Sequence, residues 1–447
     1  SSWDCWEQSA QPRRVAVRKG IQEMKKSVVL FLIGMLWIHP LLFAQSVCCD
    51  SLTVSLLKDN GAEISEKNKV VLLPSGQEKF DDLFKSISQA RRYVYLEYFN
   101  FRNDSIGNAL FRLLSKKVSE GVKVRVIYDD FGNVSNDQPL RKRKMRHMQG
   151  NGLDVQVFDP VVFPWINHAF HRDHRKIVVI DGQIVYTGGM NVADYYIHGK
   201  PEIGRWRDMH LRVEGDIVPA YRDIFCDMWE RCGGEKIDST EYMTDSLHTV
   251  FFAGLKPDMD STAGHKLIAV VDRVPRKTPT AIRKAYIHSI DNADSCIQIV
   301  NPYFTLVRSV RKALYRALDR GVRLEIMLST KCDVKVTPDV SAYYARKLMK
   351  RGAEIYYYED GFHHSKVMMV DSSFCTVGSA NLNSRSLKYD YEVNTFIFDR
   401  PTTNRLQTIF EADKKKSTLL TPENWKERRT LGQRIKGWFF HFLSPLI

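Results

Sequence analysis

HRKIVVID, residues 174–181, opens on three basic side chains, runs straight into four apolar β-formers and closes on a carboxylate. The pattern returns without a gap as HSKVMMVD, residues 364–371. Each copy reads His-x-Lys, four apolar residues, Asp. Side chains alternate across a strand, so a histidine and a lysine two residues apart leave from one face. By the same alternation Asp181 and Asp371 leave from the opposite face, which gives them a structural part.

The repeat extends in both directions. After Asp181 the chain turns back to TGGMN, 187–191; after Asp371 it turns back to VGSAN, 377–381. Upstream, YVYLEYFNF (93–101), an amphipathic helix pattern and VKVRVIYDD (122–130) match CIQIVNPYF (296–304), the helix pattern RKALYRALDRG and VRLEIMLST (322–330). Each half reads strand, helix, strand, helix, strand, strand. The expected fold is α/β: two similar domains, each a mixed β-sheet flanked by helices, related by a pseudo-twofold axis. They are expected over 50–235 and 263–420, joined by a loop-like linker over 236–262.

A polar motif carried twice points to one site on that axis. Two histidines divide two jobs: one attacks, the other donates a proton to the leaving group. Lys176, Lys366 and the amides of Asn191 and Asn381 can hold an anion between them. A phosphodiester fits this set, because the cations stabilise charge building on its non-bridging oxygens. The intermediate would be a phosphohistidine. Imidazole and ammonium supply the positive charge, so neither metal nor cofactor is expected.

The net charge of +14 over 447 residues favours anionic partners, whether nucleic acid, an anionic lipid surface or a phosphorylated substrate. The eight cysteines contain no CxxC pair and read as free thiols rather than zinc ligands. His168, His171 and His174 stand three apart, but on an extended approach to a strand they would not converge on a metal. The basic run RKRKMRH, 141–147, reads as a helix face, either solvated or touching anionic headgroups.

The two ends carry different signals. MKKSVVLFLIGMLWIHPLLFAQS, 24–46, has the layout of a secretory signal peptide, with an uncleaved anchor as the competing reading. Residues 1–23 read as an extension ahead of it. At the other end, within 421–447, Leu431, Ile435, Trp438 and Phe442 fall on one helical face beside Arg428, Arg429, Arg434 and Lys436. That pattern suits an amphipathic helix in a membrane interface; a helix docked on the core is the alternative.

The doubled His-x-Lys-x-x-x-x-Asp motif resembles the signature of the phospholipase D superfamily, and the chain is most similar to bacterial cardiolipin synthases. LEYF (96–99), VRVIYDDFG (124–132), RWRDMHLRVEG (205–215), NPYF (301–304), GSANLNSRS (378–386) and the closing SPLI carry the closer likeness. The resemblance implies His174 as nucleophile and His364 as general acid. It assigns phosphate binding to Lys176, Lys366, Asn191 and Asn381, and it counts Asp181 and Asp371 within the catalytic motif. It also implies imidazole-orienting carboxylates, Glu392 on His174 and Asp208 on His364, each crossing between halves. The implied reaction joins two phosphatidylglycerol molecules into cardiolipin and glycerol. Hydrolysis of a phospholipid and cleavage of a nucleic acid are rivals that use the same residues. The sequence holds no recognisable nucleic-acid module, so no nucleic acid partner is expected. The resemblance implies a location at the bacterial cell membrane; the single cleavable-looking segment at 24–46 would put the catalytic domains on the exported side. Bacterial cardiolipin synthases commonly carry two N-terminal spans, whereas this chain has one apolar segment.

Overall fold

The computed structural model describes residues 51–162, 164, 170–242 and 252–443. The leader or anchor read at 24–46, the extension 1–23 and His168 lie outside the described residues.

Each half builds the same sheet. In the first, the strand order is Asn68–Leu73, His210–Gly215, Ile184–Gly188, Lys176–Ile180, Tyr93–Tyr98, Lys123–Asp129, Asp154–Phe158. In the second, the corresponding order is Leu267–Arg273, Glu392–Phe398, Phe374–Gly378, Val367–Val370, Cys296–Val300, Arg323–Ser329, Glu354–Tyr358. Parallel pairs run on one side of the central strand and antiparallel pairs on the other. Short edge strands, Glu63–Ser65 and Ser417–Leu419, extend the second sheet. Glu63–Ser65 comes from the N-terminal side of the first half, so the chain laces the two halves together.

The motif strands are central and covered on both faces, which is why they read as unbroken apolar runs. Ile177 and Val179 turn toward a core shared with Val367 and Met369, while Val178 and Ile180 pack under the helices of their own half. The shared layer also takes the helix Val218–Arg231 and its counterpart Arg400–Lys414, through Phe225, Met228, Leu406 and Phe410. The two halves lie within one compact unit from Thr53 onward. The physical reason is that each sheet has a second apolar face, and the other half covers it. Within the expected linker, the short turn Ser239–Glu241 is pinned to the first sheet: Tyr95, Lys123 and Arg125 all donate to Glu241.

Each motif aspartate ends its strand in the same turn. Asp181 and Gly182 take φ of 51° and 69°, and Asp371 and Ser372 take 52° and 56°. Consecutive left-handed residues match the twist of a tight hairpin, and Asp and Gly tolerate that region well. The Asp181 carboxylate accepts the backbone N–H groups of Arg91, Arg92 and Tyr93 at 2.8–2.9 Å. Asp371 accepts those of Asp294, Ser295 and Cys296 at 2.7–2.9 Å. Both carboxylates therefore fasten the start of the neighbouring strand, at the end of the motif strand away from the histidine.

Candidate active site

The histidines sit just before their strands, where the halves meet. The backbone N–H of His174 donates to the Tyr391 carbonyl at 3.0 Å, and that of His364 donates to the Arg207 carbonyl at 2.6 Å. Tyr391 precedes Glu392 and Arg207 precedes Asp208. One backbone bridge thus fixes each histidine beside a carboxylate of the other half. Nδ1 of His174 lies 3.0 Å from Glu392 Oε1, and Nδ1 of His364 lies 2.7 Å from Asp208 Oδ2. Both carboxylates are wholly buried. Gly189 has no room for a side chain, since a Cβ there would come within 2.2 Å of Asp208 Oδ1. The glycine run after the first motif strand is therefore what lets the carboxylate close on His364.

Burial alone would raise the Glu392 carboxyl, but His174, Lys176 and Ser379 outweigh it and bring it down to about 2. Asp208, likewise buried, is held below its usual value by Lys366 and His364. Both are anions that favour imidazolium. Burial still dominates at the rings: His174 is shifted down, and His364 is pushed down to about 4 by burial and then by Lys366. Desolvation also brings the ammonium of Lys176 down to about 7 and that of Lys366 to about 8. The two lysines feel each other and both carboxylates, so the doubled motif converges on one electrostatic unit.

The two halves of the site are not equivalent. His174, 14% exposed, lines a cavity of about 720 Å³, whereas His364, 6% exposed, sits behind Trp206, Tyr303 and Phe362. Asn381 also lines the cavity, and its buried Oδ1 has no hydrogen-bond partner among the described residues. Asn191 is engaged elsewhere: its Oδ1 accepts from the Asn100 N–H at 3.2 Å, and Lys79 donates to its carbonyl at 3.0 Å. Lys366 Nζ lies 3.0 Å from His364 Nδ1, and each motif lysine donates to the carbonyl of its own histidine. Among the described residues no group of three His, Cys, Asp or Glu side chains is arranged to hold a metal. His171 is exposed and hydrogen-bonds the Tyr389 carbonyl.

Several neighbours had no role assigned from the sequence. Arg172 is fully buried, and its Nε and Nη2 both donate to Asp129 at 3.0–3.1 Å. Asp129 also accepts the Asp173 N–H at 2.8 Å, so this pair holds the approach to His174. On the opposite face of the strand, Arg175 bonds Asp272 of the second half at 2.8 Å. The cavity wall adds Phe99, Phe131, Trp206 and Tyr303, with Arg102, Lys200 and Arg385 as further cations. The signal for most of them lay in the motifs themselves, LEYF, VIYDDFG, RWRD and NPYF, but motif spacing does not say which members reach a cavity.

A sheet built twice, each copy delivering a histidine to a carboxylate of the other, is the organisation of the phospholipase D superfamily. The family described as cardiolipin synthase, PLD-like domain, matches residues 83–229 and 286–414. A cardiolipin synthase of Oceanobacillus iheyensis is 36% identical over 391 residues, which cover 88% of this chain and 78% of that one. A probable cardiolipin synthase of Bacillus subtilis is 33% identical over 392 residues, 86% of this chain and 73% of the relative. Among solved structures, a phosphatidylserine synthase of Haemophilus influenzae shares the fold with a TM-score of 0.67 at 13% identity, covering 88% of this chain and all of that one. The chain belongs to the cardiolipin synthase family of phospholipase D-like phosphatidyltransferases.

Proposed function

We propose that the protein is a cardiolipin synthase that moves a phosphatidyl group from one phosphatidylglycerol to another through a phosphohistidine on His174. The observation that carries this reading is the pairing of His174 Nδ1 with Glu392 on a ring that also lines the cavity. With the Nδ1 proton donated to Glu392, the Nε2 lone pair is left for attack on phosphorus. In the first step the Nε2–P bond forms and the P–O bond to glycerol breaks. The departing alkoxide takes its proton from His364. In the second step the primary hydroxyl of another phosphatidylglycerol gives its proton to His364 and attacks phosphorus. The Nε2–P bond then breaks, releasing cardiolipin.

The site supports each requirement of this cycle. Burial keeps His174 neutral and nucleophilic near neutrality. In the free enzyme His364 is neutral as well, partly through Lys366. An incoming phosphodiester anion cancels that lysine repulsion and favours the imidazolium needed to protonate glycerol. Lys176, Lys366 and the side-chain N–H₂ of Asn381, a residue that lines the cavity, are the donors that would stabilise the developing charge. Phe99, Phe131, Trp206 and Tyr303 wall the cavity with apolar surface, which disfavours water against a lipid alcohol. Attachment to the exported face of a bacterial membrane, read from residues 24–46, is an expectation that rests on those residues alone.

The deciding assay incubates the purified full chain with phosphatidylglycerol vesicles beside His174→Ala and separates the products by mass spectrometry. Cardiolipin and glycerol, absent with the variant, are the expected products. Phosphatidic acid without cardiolipin would make water the acceptor and overturn the synthase reading.

The lysines also set a pH dependence. Their ammonium forms hold the phosphate, and burial first, opposed by Glu392 and Asp208, leaves them at about 7 and about 8. Phosphate binding is therefore complete below these values and is lost as pH rises through them. The expected profile of kcat/KM, which reports the free enzyme, falls across pH 7–8. The fall in kcat comes at higher pH, because a bound phosphodiester stabilises both ammonium groups. A kcat/KM flat to well above this range would remove the lysines from phosphate binding.

A further inference from the structure

We propose that the C-terminal helix Leu431–Phe440 seats the mouth of the cavity on an anionic phospholipid bilayer, so that lipid substrates reach His174 from the membrane plane. This rests on the reading of the site as one that takes bilayer lipids, and it names how they arrive.

The helix is well formed at its start. Thr430 and Gln433 make a reciprocal capping box. What is unusual is the way it faces. Leu431, Ile435, Trp438, Phe439 and the following Phe442 are 66%, 56%, 53%, 55% and 61% exposed. Their spacing puts them on one side, as a continuous apolar ridge. A helix docked only to complete the core would turn that side inward. In this protein the other side is the docked one. A Cβ on Gly437 would lie 2.3 Å from the Asp339 carbonyl oxygen, so the two helices touch backbone to backbone there. Arg429 pairs with Asp339 and Lys436 lies 3.5 Å from it. The His441 ring stacks on Tyr343 at 4.1 Å. The apolar ridge is therefore held outward by specific contacts on its reverse side.

Those contacts also fix where the ridge stands. Asp339 belongs to the first turn of the helix Thr337–Met349, and Thr337 and Val334 line the cavity. The C-terminal helix is thus clamped two residues from the cavity wall. Val334 and Val134, 41% and 53% exposed, add apolar surface; Val134 adjoins Ser135, another lining residue. Aromatic residues flanked by Arg434 and Lys436 are the composition that lies stably at a lipid headgroup boundary. A chain of net charge +14 is drawn to an anionic surface in particular. Among the described residues no helix is long and apolar enough to cross a membrane.

The test compares the native full chain with Ile435→Ser/Trp438→Ser/Phe439→Ser, none of which touches the catalytic groups. Vesicles of mixed phosphatidylglycerol and phosphatidylcholine serve as one substrate, and monomeric dihexanoyl phosphatidylglycerol as the other. Removing three lipid-embedded apolar side chains is expected to lower vesicle affinity and vesicle turnover roughly tenfold or more, with turnover of the monomeric lipid within about twofold. Unchanged sedimentation with vesicles overturns the proposal, and so does equal loss on both substrates, which would make the helix merely structural. A second readout needs no disruptive change: bromine-labelled phosphatidylglycerol vesicles should quench part of the native tryptophan emission, and Trp438→Phe should lessen that quenching, any share from Trp37 in the apolar segment being the same in both proteins. Quenching identical in the two proteins overturns the proposal. If the native chain turns over neither lipid, the transferase reading fails by itself, while sedimentation and quenching still decide the membrane contact.

Discussion

His364→Asn protein supplied with a phosphatidyl ester of p-nitrophenol releases one equivalent of nitrophenolate in a burst and then stops, with the phosphatidyl group left on His174. The leaving group is chosen because nitrophenolate departs without a proton, so the first step no longer needs His364. The second step still does, since a lipid hydroxyl attacks only as its proton is taken. The intermediate therefore accumulates. With phosphatidylglycerol as substrate, both steps need the proton carrier, and turnover falls roughly 10²–10⁴-fold, the usual contribution of a positioned acid and base. His174→Ala shows no burst with either substrate and loses on the order of 10⁴-fold or more, because nothing remains to split the reaction into two steps. The label should be stable to base and labile to acid, as a phosphorus–nitrogen bond is. A burst in His174→Ala and none in His364→Asn would reverse the two roles. The unequal burial of the rings argues for His174 as the nucleophile: it reaches the cavity, while His364 lies behind Trp206 and Tyr303.

Glu392→Gln is the second large effect. The carboxylate lies 3.0 and 3.1 Å from His174 Nδ1 through its two oxygens and also accepts from the Ser379 hydroxyl. In the variant the amide oxygen takes the Ser379 bond and the amide N–H₂ faces the ring. Nδ1 must then be the acceptor, the proton moves to Nε2, and the lone pair needed for attack is gone. Loss of turnover by roughly 10³–10⁴-fold is expected, as for other histidines forced into the wrong tautomer. The pH profile provides a signature that misfolding would not. Glu392 raises the His174 pKa against the stronger effect of burial. Removing the charge lowers it further, so the residual activity keeps its neutral nucleophile to lower pH. The acidic limb of kcat/KM should move down while the plateau falls. An acidic limb that stays in place, or a loss of less than tenfold, would reduce Glu392 to packing.

Much of the fold was legible in the residues. Period-two alternation put His174 with Lys176 and His364 with Lys366, and the repeat of whole segments required one sheet built twice. The aspartates were assigned to the other face by the same alternation, and their backbone bonds lie at the far strand end. The pairing of Glu392 with His174 could not be read that way. It entered through the family resemblance, because a contact across 218 residues leaves no local period. The cavity wall was hidden for a related reason: LEYF and NPYF were visible as motifs, but which of their rings turn into a shared space depends on the other half.

The sequence by itself determined the strands, the faces their side chains take and the duplicated set of groups able to handle a phosphodiester, since these follow from spacing along a pleated chain. Only the tertiary structure decided that the halves fuse across one core, that Asn381 faces the cavity while Asn191 is bonded to Asn100, and that the C-terminal helix turns its apolar side out. Those outcomes depend on which of two apolar faces finds the better-fitting partner and on single close approaches such as Gly437 against Asp339, and neither is written in the order of residues along one element.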